Sequence, residues 1–482
     1  MALGANKAAL LGAAGGSTTS AYTIDQSLRF DAAATVNLID SSVGAGDTRK
    51  KNTFSVWLKR GKITTQQYIG AYRHNATNYQ YWLFKADDTL EFTDVSGGSV
   101  IGKLVTTQVF RDPSAWYNLT FVWDTANSVS TNRMIIYVNG QRVTSLSTAT
   151  YPSINTDSGG AGRASSDIRI GTYDATGAFF DGYMTNIVYI DNGALDASSF
   201  GETNDNGIWI PKDVSGLTFG TRGFYVDGRD ASDLGDDESG NGNDFSSGLS
   251  AHDQLLDSPT NNFATLNSVY ADASGLSSGT LANANLQVTG PSSGFNLNAI
   301  TFNLPKSGKW YFEYMIGGLY DGFGFCVVGE EASITSSNGL GQLSVAQGGG
   351  IQYQGWRNGG GYTTNFGATF TAGHIHQIAM DVDNGKFYYG IQNTYYAADA
   401  GTDGNPSAGT NELLAFALAS NDIVLLTMTS NSSGSEYWNF GQDGTFAGQQ
   451  TAQGNSDANG IGNFYYAVPT GYKALCSKNV GS

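Results

Sequence analysis

Charge is scarce in this chain. Charged residues make up 14% of its 482 positions, against roughly 25% in an ordinary globular protein. The charge present is lopsided, with 25 Lys and Arg against 42 Asp and Glu and a net charge of −17. Such a polyanion repels phosphate backbones, which argues against nucleic acid as a partner. Cysteine occurs only at Cys326 and Cys476. That excludes a multi-bridge secreted scaffold and leaves two readings open, one bridge or two buried thiols. No run reaches the roughly 18 to 20 apolar residues of a membrane helix. The apolar stretch at 8–14 is too short and poorly flanked for a signal peptide, so a soluble protein outside the general secretory route is expected. No amphipathic stretch long enough for a helix is present either.

What is there points to β-structure. The chain has 64 Gly without enrichment in proline, together with 26 Tyr and 40% apolar residues, a composition that suits short strands, tight turns and filled cores. Alternation runs through Ser27-Leu28-Arg29-Phe30, Phe54-Ser55-Val56-Trp57-Leu58 and Met134-Ile135-Ile136-Tyr137-Val138. Asn139-Gly140 then gives the strongest short hairpin signal, and Asn384-Gly385 repeats it after residues 378–383. The length suits about two large domains at roughly 150 to 200 residues each. The acidic, Gly-rich stretch 231–259 is the seam, so the expected division is an arm at 1–21, a first domain at 22–250 and a second at 251–482. The arm is Ala-, Gly- and Ser-rich and has too little apolar surface to fold alone, so residues 1–20 are expected to order against another chain.

Particular residues then resemble known families. Leu28 with Phe30, Phe54 to Trp57, Trp116 with Leu119, Tyr137-Val138-Asn139-Gly140, Ile170-Gly171 and Phe180-Asp181-Gly182-Tyr183-Met184 with Ile187 follow, in order, the pattern of the laminin-G-like branch of the concanavalin-A-like lectin/glucanase superfamily. Trp57, Trp116 and Tyr137 are expected at inward positions between two sheets. Residues 236–244 (DDESGNGND) resemble the segment that opens this family, displaced here to the end. A permuted domain is expected, with residues 223–227 beside the Leu28 strand. The second half resembles the SPRY family through Lys309-Trp310-Tyr311-Phe312-Glu313, Gly322-Phe323-Gly324-Phe325, residues 376–383 and Trp438-Asn439-Phe440-Gly441. The resemblances imply an all-β fold of two antiparallel jelly-roll sandwiches in tandem.

Catalytic patterns are missing. Retaining glucanases of that superfamily carry paired carboxylates about 5 Å apart, but none of Glu91, Glu202, Glu238, Glu313, Glu330, Glu331, Glu412 and Glu436 has a second Glu four or five positions on. Asp381 and Asp383 flank a hairpin and are expected to stabilise it. His374 and His376 have a spacing compatible with zinc but lack a third ligand nearby, so a structural role is expected. No cofactor is required. Calcium is the ion best suited to the chain, through Asp236, Asp237, Asn241, Asn243 and Asp244. Glycan contact is expected from exposed aromatics and amides on loops, namely Tyr79, Tyr81 and Trp82 in the first domain and Tyr353, Trp356, Arg357, Asn358 and Tyr362 in the second, where two Gly triplets bracket the aromatics.

Tandem laminin-G-like and SPRY-like units behind a short Ala/Gly arm resemble structural proteins of marine phages of the tail-fibre type. The resemblance implies a non-enzymatic virion protein, located on the tail fibre or capsid surface and made in the host cytoplasm. Its expected partners are other virion subunits through residues 1–20, a host-surface glycan or protein, and copies of itself in a trimer. A passive head or tail decoration protein is the alternative, and a glycan depolymerase ranks below both.

Overall fold

In a computed structural model, the described residues are 22–174, 176–270, 279–290, 295–317, 322–328, 348–352, 356–359, 362–417, 423–430 and 434–480. The arm and its expected docking to virion subunits lie outside them. The fold is all-β, built as two antiparallel sandwiches. Among the described residues no helix is long and apolar enough to cross a membrane.

The first unit ends at Asn261, beyond the expected 250. The reason is register: Gln254–Leu255 returns to pair with Ser27 and Leu28. One sheet runs Gln141–Arg142, Met134–Val138, Trp116–Asp124, Lys51–Arg60, Gly182–Asp191, Ser27–Phe30, Gln254–Leu255. The other runs Leu146–Thr150, Ser99–Val109, Thr89–Ser96, Asn78–Phe84, Gln67–Asn75, Ser166–Ile170, Leu38–Val43, Ser246–Ser247. Period-two alternation sends Leu28, Phe30, Phe54, Val56, Leu58, Phe121 and Ile136 from the first sheet against Ile69, Trp82, Phe84, Phe92 and Leu104 from the second. Phe54 stacks on Trp82 with ring centroids 4.0 Å apart.

Trp57, Trp116 and Tyr137 do not fill that space. Their neighbours Val56, Leu58 and Ile136 do, and with a period of two all three aromatics face outward. That outer face is itself covered. Val188, Ile190 and Tyr225 pack there with Phe200, Val214 and Phe219 in a second apolar cluster, and the Trp209 indole donates to Asn118 at 3.1 Å.

The segment expected beside the Leu28 strand takes a specific place. Phe224–Val226 pairs with Gly182–Asp191 at Ile187 to Tyr189, and Ser27–Phe30 pairs with the same strand at Gly182 to Met184. Both run antiparallel to it, so residues 224–226 lie in line with the Leu28 strand on one edge, not beside it. The two segments are halves of one split strand. At the joint Gly228 has φ +68°, and a Cβ there would meet the Leu28 side chain at 2.3 Å, so only glycine fits.

The second unit opens at Asn262. One sheet carries Thr280–Ala282, Gln287–Thr289, Ser435–Asn439, Lys309–Met315, Ile375–Asp381, Lys386–Ile391 and Thr394–Tyr396, in that order. It faces Phe295–Ala299, Ile423–Ser430, Gly322–Val327, Gly348–Gln352, Trp356–Gly359 and Tyr362–Asn365. The SPRY-like stretches form the centre: Phe312 meets Phe323 edge-on at 5.4 Å, and Tyr314 stacks on Trp438 at 4.4 Å. One short parallel pairing, Lys473–Ala474 beside Trp310 and Tyr311, departs from the antiparallel rule.

The two hairpin signals resolve differently. Asn139 and Gly140 both take positive φ, 45° and 78°, in a two-residue turn. The second strand stops at Asp381, which pairs with Lys386 across a four-residue loop, and there Gly385 turns at φ 63°. Asp381 holds that loop by accepting from Asn384 and Lys309, and Asp383 accepts from the Gly308 amide at 2.9 Å. Cys326 and Cys476 are buried and form no disulfide, and burial pushes the Cys476 thiol up to about 12.

Candidate functional site

The outer face of the second sheet of the first unit carries a cluster of tyrosines. Asn78–Phe84 alternates Tyr79 and Tyr81 outward with Gln80, Trp82 and Phe84 inward. Trp82, expected on an exposed loop, is a core residue with 0% exposure. Its strand neighbours Tyr79 and Tyr81 are partly exposed, and they sit on a strand, not a loop.

Register brings further residues to them. Arg73 lies directly opposite Tyr79 and Ala71 opposite Tyr81. A β-bulge between Tyr68 and Gly70 re-aims the start of that strand. The small Ala71 side chain leaves room for the Tyr68 ring, which meets Tyr81 edge-on at 5.4 Å. From the turn after Ser166–Ile170, Tyr173 stacks on Tyr68 at 5.2 Å and meets Tyr79 edge-on at 5.3 Å. Tyr79 and Tyr81 stack at 5.7 Å. The Arg73 guanidinium stands 5.4 Å above the Tyr173 ring.

Polar groups orient the cluster. The Tyr81 hydroxyl donates to Glu91 at 2.8 Å, and Glu91 also accepts from Thr93 and pairs with Lys103 at 2.8 Å. Burial, followed by the charge of Glu91, raises the Tyr81 phenol. Burial pushes Tyr68 up to about 12 and raises Tyr173 against the opposing pull of Arg73. All three therefore stay neutral at ordinary pH. The surface offers flat rings for apolar CH faces, hydroxyls that donate or accept, and one guanidinium. Sequence reasoning missed Tyr68, Arg73 and Tyr173. Only a pairing register could have supplied them, because Tyr68 and Arg73 come from the neighbouring strand Gln67–Asn75 and Tyr173 from the turn after Ser166–Ile170.

The other expected site residues sit elsewhere. Tyr353 lies outside the described residues. Trp356, Arg357 and Asn358 belong to Trp356–Gly359 and Tyr362 to Tyr362–Asn365, paired strands at one edge of their sheet, where an exposed loop was expected.

The acidic loop at 236–244 is a backbone clamp. Asp237 accepts the amides of Tyr225, Ser239 and Asn243 at 2.9 Å each and the Ser239 hydroxyl at 2.8 Å. Asn241 and Asn243 both donate to the Gly223 carbonyl, and Asp244 accepts the Asp237 amide at 3.1 Å. Burial and the neighbouring carboxylates raise Asp236. The clamp fixes the turn that feeds Phe224–Val226. Among the described residues no group of three His, Cys, Asp or Glu side chains is placed to hold a metal ion. His376 is buried among Tyr314, Phe370 and Tyr389. Burial holds its pKa well below the usual imidazole value, as a structural residue requires.

No curated protein matches the chain. Among solved structures, a heptameric SAP-like pentraxin from Limulus polyphemus is 17% identical over 36% of this chain and 80% of its own, with a TM-score of 0.26. Domains LG4-5 of the mouse laminin alpha1 chain are 10% identical over 88% of this chain and 90% of their own, at 0.29. The SPRY domain of human HERC1 is 14% identical over 32% and 87%, at 0.22. Within the chain itself, residues 31–199 match the Laminin_G_3 family of the concanavalin A-like lectin/glucanases superfamily.

Proposed function

We propose that this chain is a non-enzymatic phage virion protein, a tail-fibre or receptor-binding subunit, that attaches to host-surface glycan through the tyrosine face of its first sandwich. The observation that carries the reading is the half-exposed cluster of Tyr68, Tyr79, Tyr81 and Tyr173. Most of the other aromatics of the first unit fill its cores, and Trp116 and Tyr137, which are also partly exposed, face out from its other sheet. Neutral phenols around a shallow aromatic floor suit a sugar, whose apolar faces stack on rings while its hydroxyls pair with phenol oxygens. In this reading residues 1–20 dock the chain to other virion subunits, copies assemble as a trimer, and no metal is needed for binding.

Purified chain carrying Tyr79→Ala and Tyr81→Ala should lose binding to host cells by about tenfold or more, equivalent to about 1.4 kcal/mol, with its melting curve little changed. Undiminished binding by that folded variant sinks the site. Absence of the chain from intact particles, probed by immunogold labelling, sinks the virion role.

A further inference from the structure

We infer that the tyrosine face is built for a sugar that carries a carboxylate, a uronate-containing polysaccharide, with Arg73 as the receptor for that carboxylate. The inference rests on reading the face as a glycan site and adds the class of glycan.

The basic side chains of this face differ in their partners. Arg169 pairs with Asp167 at 2.8 Å, and Lys103 pairs with Glu91 at 2.8 Å. Arg73 stands between them in the ladder, opposite Tyr79 on one side and Asp167 on the other. Asp167 is already engaged by Arg169, and among the described residues Arg73 has no carboxylate partner. Its Nε is buried and makes no hydrogen bond. Among the described residues the half-buried guanidinium is held by the Tyr173 ring and phenol alone. The terminal N–H groups of the fork are the ones a ligand can meet.

The geometry defines that acceptor. A guanidinium presents a planar fork that matches a carboxylate through two parallel N–H···O bonds. Tyr173 beneath the guanidinium fixes its plane. Tyr79, directly across the strand pair, lies beside the fork, so a ring stacked on Tyr79 and Tyr81 can direct a C6 carboxylate at Arg73. A neutral hexose would fill the aromatic floor and leave the fork unmet.

Affinity electrophoresis of the full chain in native gels tests this. The gels contain polygalacturonate, alginate or hyaluronate, with carboxyl-reduced polygalacturonate, dextran, mannan and dextran sulfate as comparisons. At least one uronate polymer should retard the chain, more strongly than any neutral polymer. Arg73→Gln should weaken that binding about tenfold while shifting binding to a neutral polymer less than about twofold. Arg73→Lys should restore only part, because an ammonium lacks the fork. Thermal melting of Arg73→Gln matching the parent shows that the loss is not unfolding. Equal retardation by polygalacturonate and its carboxyl-reduced form overturns the inference, as does an unchanged affinity in Arg73→Gln. Dextran sulfate binding as tightly as the best uronate also overturns it, in favour of general anion attraction. Retardation by dextran or mannan and by no uronate overturns the inference and leaves the glycan reading standing. Retardation by no polymer overturns both.

Discussion

Replacing Asp257 with Ala should destabilise the first sandwich by about 3 to 5 kcal/mol, the usual cost of stranding one partner of a buried ion pair. Lys59 Nζ meets Asp257 Oδ2 at 2.8 Å, with side-chain exposures of 1% and 0%. The Trp116 indole donates to the other carboxylate oxygen at 3.1 Å. Burial lowers the Lys59 pKa, and Asp257 is the main group that opposes it, with Asp112 a smaller influence. Without Asp257 the ammonium keeps the desolvation cost and loses its counter-charge. The same change unfastens Gln254–Leu255, because Asp257 anchors the chain just beyond that strand. Urea unfolding, read through hydrogen exchange of the amides in Lys51–Arg60, measures the loss. A double replacement, Lys59→Met with Asp257→Leu, should recover most of it, since an apolar pair needs no counter-charge. A loss under about 1 kcal/mol in the single variant would show that the pair carries little net stability.

That ion pair also shows where the sequence stops being informative. The acidic, Gly-rich stretch 231–259, expected as the seam, lies within the first unit, which ends at Asn261, and its turns need glycine and short polar side chains. It cannot show that the chain turns back afterwards to close the first sandwich. Arg29 and Lys59 are the clue, being charges set within apolar strands. Each is buried against an aspartate far along the chain, Arg29 against Asp253 at 3.0 Å. The strands themselves were legible because alternation has a period of two. Which alternate residue faces the core was not, and Trp57 was assigned to the wrong side because both it and Val56 are apolar. Only the pairing partner and the covering segment decide that question.

The site was legible in part for the same reason. Tyr79 and Tyr81 stand out as alternating aromatics, and their strand neighbour Trp82 shares their chemistry but not their face. Tyr68 and Tyr173 have no local signal, because a bulge and a turn bring them to the cluster. The DDESGNGND segment lies in the loop beside Phe224–Val226. Its Asp237, Asn241, Asn243 and Asp244 bond backbone groups, so that it holds half of a split strand in position.

The full chain should be more stable at pH 5 than at pH 8, an unusual direction for a protein so rich in carboxylates. Asp94 and Asp181 in the first unit and Glu313 in the second are fully buried, and burial pushes each up to about 7. In the unfolded chain such groups titrate near 4. Between those values the folded state holds protons that the unfolded state releases. Stability therefore falls as pH rises from about 4 to about 7 and is flat above, by up to about 4 kcal/mol for each group. Asp87, lowered to about 2, works in the opposite sense, but its window lies below pH 4 and it is exposed; buried His376, held well below the usual imidazole value, also opposes the trend and offsets part of it below about pH 6.5, one group against three. Asp94 gives the sharpest test. It accepts from Gln80 Nε2 at 2.9 Å and the Gly159 amide at 2.8 Å, and also from the Ser158 hydroxyl. Gln80 Oε1 is buried without a partner. Turning the Gln80 amide offers that oxygen to a protonated Asp94, or to the amide of an Asp94→Asn variant. Asp94→Asn should therefore fold and remove about one proton from the pH dependence, flattening the slope by about 1.4 kcal/mol per pH unit. Urea midpoints at half-unit steps from pH 4.5 to 8, followed by exchange of the Asn78–Phe84 amides, measure both slopes. A parent chain whose midpoint rises with pH across this window, or an Asp94→Asn variant with an unaltered slope, contradicts a buried neutral carboxyl at this position.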